Sequence, residues 1–147
     1  MDSQLPKKEL ILPVDAELLV PHRRPMCLID SLVEYRDESG VVEAVVGREN
    51  PLVGEEGILD RTSFVELVAQ AYAAFKGYHD MLHGMPVKKG FLVVVKCMEC
   101  KGDVVAGDRL RISVETISEV GGFAVAEGTI TRGNEIVAKG SLTLWIP

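Results

Sequence analysis

A chain of 147 residues, 47% hydrophobic and 26% charged, has the size and balance of one globular domain, and it holds no low-complexity tract that would argue for disorder. Its formal net charge of −6 repels a phosphate backbone and argues against nucleic acid as the main partner. No apolar run approaches the roughly 18 residues of a membrane span, residues 1–9 are too polar for a secretion signal, and the odd count of three cysteines reads as free thiols of a cytoplasmic protein.

The elements follow in chain order. Residues 15–20 are a short helical candidate, with Asp15 as its cap and Pro21 as its stop. Residues 27–34 read as a strand, Asp37-Glu-Ser-Gly40 as a turn, and 41–46 as the hairpin partner. Residues 49–60, with Asn50, Pro51, Gly54 and Gly57, are irregular. The strongest signal is a helix over 62–78. Phe64, Leu67, Val68, Ala71, Tyr72 and Phe75 fall on one helical stripe, whose burial is worth on the order of 10 kcal/mol before entropy is subtracted. Ala69, Ala73, Ala74 and Gly77 beside it are small enough to let a sheet come close. Strands are expected over 91–99, 108–117, 123–132 and 135–146, with turns at Gly121-Gly122 and Gly133-Asn134. Strands, a lone helix and a further run of strands make one α+β domain over residues 1–147, with no linker and no repeat.

Three segments carry a family resemblance. Pro21-His-Arg-Arg-Pro-Met-Cys-Leu-Ile-Asp30 resembles the opening motif of the (3R)-hydroxyacyl-ACP dehydratases, Phe64-Val-Glu-Leu-Val-Ala-Gln70 their central-helix motif, and Val104-Val-Ala-Gly-Asp-Arg-Leu110 the start of a late strand. The resemblance implies a hot-dog fold, one long central helix wrapped by a curved antiparallel sheet, and it places Glu66 on the family's catalytic acid. One feature departs. The loop that holds the family's catalytic His reads Glu49-Asn-Pro-Leu-Val-Gly-Glu-Glu-Gly57 here, with Leu52 near the His position. The chain is more similar to the dehydratase branch of aryl-polyene clusters, which keeps the opening His, the Asn-Pro and the Glu-x-x-Ala-Gln helix.

Dehydration of a 3-hydroxyacyl thioester needs a base for the C2 proton, an acid for the C3 hydroxyl and donors for the thioester carbonyl. The chain offers His22 as base, Glu66 as acid and the N-terminus of the central helix for the carbonyl. Burial of Glu66 among apolar neighbours would raise its pKa. Ser63-x-x-Glu66 is also a capping-box pattern, in which Glu66 merely bonds back to the helix start. Gln70, one turn beyond Glu66, is placed to orient it or to meet a partner subunit. Asn50 braces a loop or caps a turn, and Arg61 is a candidate for a phosphopantetheine arm. His79 and His83 sit where imidazolium favours a helix end. Cys97-Met-Glu-Cys100 is a CxxC without a second ligand pair, so no metal is expected. Lys88, Lys89, Lys96, Lys101, Arg23 and Arg24 are candidates for a basic rim that receives an acidic carrier.

The expected activity is dehydration of a 3-hydroxyacyl group carried on ACP or CoA, with no cofactor beyond that carrier. The alternatives are an acyl thioesterase and a non-enzymatic acyl-binding subunit. The resemblance also implies a homodimer or larger assembly, with the last three strands expected to carry the pairing.

Overall fold

The computed structural model describes residues 10–147, apart from the side chain of Cys97. The polar start and the CxxC reading therefore lie outside the described residues. The strands are β1 (Val14–Asp15), β2 (Ser31–Tyr35), β3 (Ser39–Val45), β4 (Phe91–Cys100), β5 (Arg109–Val120), β6 (Phe123–Arg132) and β7 (Glu135–Trp145). The helix α1 (Ser63–Leu82) falls between β3 and β4. It runs one turn further than the apolar stripe predicts, because Tyr78 and Asp80 are also buried. The short helix expected over 15–20 is a 3-10 turn at Ala16–Leu18, with Asp15 Oδ1 accepting from Glu17 N at 2.9 Å.

The strands form one antiparallel sheet in the order β1-β2-β3-β5-β6-β7-β4. Its concave face holds Val42 and Ala44 of β3, Leu110, Ile112 and Val114 of β5, and Ala124, Ala126 and Ile130 of β6, all buried. The period of two along each strand sends these side chains inward and Arg109, Arg111, Glu115 and Glu127 outward. Phe64, Leu67, Val68, Ala71, Tyr72 and Phe75 of α1 meet them, each at 2% exposure or less. This is the wrapped-helix arrangement of the hot-dog fold. Two glycines permit the close approach. A Cβ at Gly77 would run into the Leu19 carbonyl oxygen, and one at Gly128 would run into the Val68 side chain.

The free edge of the sheet corrects one expectation. β5, β6 and β7 each have a strand hydrogen-bonded on both sides, so none of them offers an edge for pairing. β4 lies at the end of the order and pairs with β7 alone. Its residues Phe91, Leu92, Val93, Val94 and Val95 are 42–51% exposed. At the opposite end β1 is two residues long. A short edge strand resists further pairing, whereas a long apolar one invites it. No helix among the described residues is long and apolar enough to cross a membrane.

Candidate active site

The loop between the 3-10 turn and β2 carries His22 and is fastened to its surroundings at several points. Arg24 donates to Cys27 O at 2.8 Å, to Ile29 O at 3.0 Å and to Asp30 Oδ1 at 2.6 Å. Asp30 Oδ2 in turn accepts from Val45 N at 2.7 Å, which ties the loop to β3. Arg23 donates to Val20 O at 3.0 Å and to His22 O at 2.8 Å, which holds the backbone on both sides of the imidazole. Fixing so many carbonyls to guanidinium groups leaves the His22 ring little backbone freedom.

Gln70 joins this loop to α1. It is 1% exposed. Its Nε2 donates to Met26 O at 2.9 Å and its Oε1 accepts from Leu28 N at 2.8 Å. The second Nε2 hydrogen goes to Glu66 Oε1 at 2.9 Å, one helical turn back. That bond engages Oε1, and Oε2 has no hydrogen bond among the described residues. Glu66 therefore does not close a capping box. The helix start is capped from outside, by Asp60 Oδ1 accepting from Thr62 N and Thr62 Oγ1, both at 2.8 Å. Those bonds hold the exposed Asp60 carboxyl below its ordinary range.

His22 Nε2 and Glu66 Oε1 stand 3.8 Å apart, with the two side chains 35% and 43% exposed. The apolar burial expected for Glu66 is therefore not supplied by a single chain. At 3.8 Å the two groups do not bond directly, yet they are close enough for one small molecule lying against both to meet each. His22 Nδ1 is buried and has no hydrogen-bond partner among the described residues. Both residues line a cleft of about 200 Å³, together with Gln70 and Tyr72 of α1, Phe91 and Leu92 of β4, and Leu144 of β7. Burial pushes the Tyr72 phenol up to about 12. It stays protonated and bonds Thr116 Oγ1 at 2.8 Å.

Not every residue singled out from sequence comes to this cleft. Asn50 Oδ1 accepts from Leu52 N at 2.8 Å, the bond of a turn-capping asparagine. Arg61 donates to Asp103 Oδ1 at 3.1 and 3.2 Å, in a recess beyond the start of α1. The α1 N-terminus also has fewer free donors than its dipole would offer. Thr62 N is taken by Asp60 Oδ1, Ser63 N by Asp60 O and Phe64 N by Arg61 O. His79 and His83 belong to the far end of α1, where His79 Nδ1 meets Tyr35 OH at 2.5 Å and His83 Nδ1 meets His79 O at 2.8 Å. Of the expected basic rim, Lys88 lines the cleft and Lys89 stands 5.5 Å from the centre of the Phe91 ring. Sequence reasoning passed over Asp80, a buried acid that also lines the cleft. Its only sequence signal is an acidic residue near the end of a helix, where the dipole disfavours it.

Comparison with known proteins matches this chain to a family. The ApeP-like family, described as ApeP dehydratase, matches residues 14–147. A 3-hydroxyacyl-[acyl-carrier-protein] dehydratase FabZ from Natranaerobius thermophilus is 30% identical over 133 residues, covering 85% of this chain and 89% of its own. Another, from Anaeromyxobacter sp. (strain K), is 25% identical over 144 residues, covering 95% and 92%. Among solved structures, the dehydratase heterocomplex ApeI:P from Xenorhabdus doucetiae superposes with a TM-score of 0.85 at 23% identity, over 92% of this chain and 91% of that one. A hypothetical thioesterase from Streptococcus pneumoniae TIGR4, solved with coenzyme A, superposes at 0.61 with 17% identity, over 79% and 84%. These two structural likenesses speak for the hot-dog fold, and the family match over nearly the whole described chain speaks for more than the fold. The chain belongs to the ApeP-like dehydratase family.

Proposed function

We propose that this chain removes water from a 3-hydroxyacyl thioester to give a trans-2-enoyl thioester, with His22 and Glu66 as the catalytic pair. The observation that carries the reading is their meeting in one cleft, 3.8 Å apart, although they are far apart in sequence and sit on a loop and a helix. Neutral His22 takes the C2 proton through Nε2. The electron pair of that C–H bond becomes the C2–C3 double bond as the C3–O bond breaks. Protonated Glu66 delivers its Oε2 proton to the departing hydroxyl, which leaves as water. The imidazolium and the carboxylate that remain return to their starting states when a proton passes from one to the other. Gln70 positions Glu66 throughout by holding Oε1. Asn50 and Arg61 stay outside this mechanism, because their side chains are engaged elsewhere.

The acyl group would arrive on the phosphopantetheine of an acyl carrier protein or on coenzyme A, and no further cofactor is needed for the proton transfers. The free thiols of Cys27 and Cys100 are in keeping with a cytoplasmic setting. The working unit would hold at least two chains. The apolar edge of β4 borders the cleft through Phe91 and Leu92. It continues through the ring contacts of Phe91 with Trp145 and of Trp145 with Phe123, at 6.0 and 6.4 Å. A second hot-dog chain laid on this edge would cover the cleft and desolvate Glu66. That the ApeI:P dehydratase is a heterocomplex supports such a pairing.

Purified protein supplied with a 3-hydroxyacyl pantetheine thioester tests the reaction. Enoyl thioester should accumulate without free thiol. Release of thiol at the rate of substrate loss would instead make the chain a thioesterase. Binding with neither product would make it a carrier subunit.

A further inference from the structure

The end of α1 remote from the catalytic pair carries two imidazoles one turn apart, His79 in its last turn and His83 at its cap. Their ring centres are 4.3 Å apart. Each ring is fixed through Nδ1. His83 Nδ1 stands 2.8 Å from His79 O. A carbonyl only accepts, so Nδ1 holds the hydrogen and the lone pair of the neutral His83 ring is on Nε2. His79 Nδ1 stands 2.5 Å from Tyr35 OH, a group that accepts as well as donates. Neither Nε2 has a hydrogen bond among the described residues. His22 Nδ1 is the one buried side-chain atom without a partner among them, so Nε2 of half-buried His79 reaches solvent, and His83 is exposed.

Two nitrogens held in this way suit a metal ion. An imidazole that ligates through one nitrogen ordinarily has the other fixed to a carbonyl or a similar acceptor, which sets its tautomer and orientation. Histidines four apart on one helix face are a recurring means of bringing two such nitrogens to one ion. With metal–nitrogen bonds of about 2.0–2.1 Å, the two Nε2 atoms must come within about 4 Å of each other, which rings 4.3 Å apart allow. Burial first, then the charges of His83 and Lys76, lower the pKa of His79 against Asp80 and Asp37, so the ring is neutral and free to ligate at neutral pH. No group of three or more His, Cys, Asp or Glu fit to hold an ion is found among the described residues. Water would complete the shell, which excludes a closed structural zinc site and leaves a reversible one.

We infer that His79 and His83 bind one divalent transition ion through their Nε2 atoms, Cu2+ more tightly than Zn2+. Imidazole suits both ions, and the order of affinities at a given nitrogen site peaks at Cu2+. In the loaded form His79 Nδ1 donates to Tyr35 OH, so that the phenol of β2 orients the ligand. The ion would thereby tie the last turn of α1 to β2. The site lies about 20 Å along α1 from Glu66, and the inference does not depend on how the catalytic cleft is read.

The test titrates Cu2+, and separately Zn2+, into the chelator-treated full chain by calorimetry, with electron paramagnetic resonance of the Cu2+ form. The wild-type protein should take up one Cu2+ per chain, show the hyperfine pattern of two imidazole nitrogens, and bind Zn2+ about tenfold more weakly. His83→Gln, a change at an exposed position, should weaken Cu2+ binding by about tenfold or more, and so should His79→Gln. If His79→Gln does not fold, His83→Gln carries the test alone. Tyr35→Phe removes no ligand and should weaken binding by about tenfold through the lost Nδ1 partner. His22→Gln should bind as the wild type does. Wild-type affinity in folded His83→Gln overturns the inference, and so does a wild-type protein that binds no Cu2+ or binds Zn2+ as tightly. Loss of the ion in His22→Gln would move it to the catalytic cleft and overturn the inference as well. Unchanged binding in Tyr35→Phe would contradict the part given to the phenol.

Discussion

The Gln70 carboxamide holds Glu66 Oε1 at 2.9 Å and with its remaining atoms grips Met26 O and Leu28 N of the loop that carries His22. One buried side chain thus ties Glu66 to the loop that carries His22. Gln70→Leu leaves a backbone carbonyl and a backbone N–H without partners, at about 1–3 kcal/mol each. The expected result is a loss of about 2–4 kcal/mol in urea unfolding and a fall in kcat that exceeds any rise in KM. A variant as stable and as active as the wild type would show that the loop is held without Gln70.

Gly77 tests how closely the helix is packed. Replacing a helical glycine by alanine ordinarily stabilises, by about 0.5–1 kcal/mol. Here the new methyl would meet the Leu19 carbonyl oxygen, which belongs to backbone and cannot swing aside. Gly77→Ala should therefore destabilise by about 1–3 kcal/mol. The shift of the urea midpoint gives the sign directly.

His79 should make stability depend on mildly acidic pH. Burial first, then the charges of His83 and Lys76, lower its pKa from the ordinary 6.5, against the opposing pull of Asp80 and Asp37. The unfolded chain therefore takes up a proton at a higher pH than the folded one does. The stability tied to the neutral ring is present above 6.5 and is lost as pH falls through that value toward the lower folded one. Tyr35 OH lies 2.5 Å from His79 Nδ1, and with the phenol as donor that bond needs the same neutral ring. Melting curves between pH 7.5 and 5 should show a falling Tm that is less steep in His79→Gln.

The free edge of β4 should control assembly. Val93 and Val95 are 51% and 43% exposed on that edge. Replacing both with lysine puts charge where a second strand would pair. Light scattering should report a single-chain mass, and dehydration should fall with it. An unchanged oligomer would move the interface elsewhere.

What the sequence makes legible follows from the range of the interaction. The stripe from Phe64 to Phe75 is local, so its 3.6-residue period reads directly as a buried face, and all six residues are buried. The turn chemistry at Gly121-Gly122 and Gly133-Asn134 likewise leads to the β5–β6 and β6–β7 hairpins. Strand order is not local. Alternation along β5, β6 and β7 says which face is inward, but not that β4 would join β7 and leave its outer edge open. The helix start shows the same limit. Ser63-x-x-Glu66 satisfies the spacing of a capping box, yet Asp60 captures the Thr62 N–H while Gln70 captures Glu66. The resemblance brought out His22 and Glu66 separately, and their separation of 3.8 Å appears only once the loop is anchored through Arg24 and Gln70. Asp80 looks like an ordinary polar residue until the fold buries it.

The most direct measurement compares enoyl-thioester formation by the wild-type protein, His22→Ala and Glu66→Gln, with circular dichroism to establish that all three fold alike. Removing either a general base or a general acid should lower kcat by about two to four orders of magnitude. Wild-type turnover by folded His22→Ala would contradict the account, because the proton at C2 would then leave through some other group.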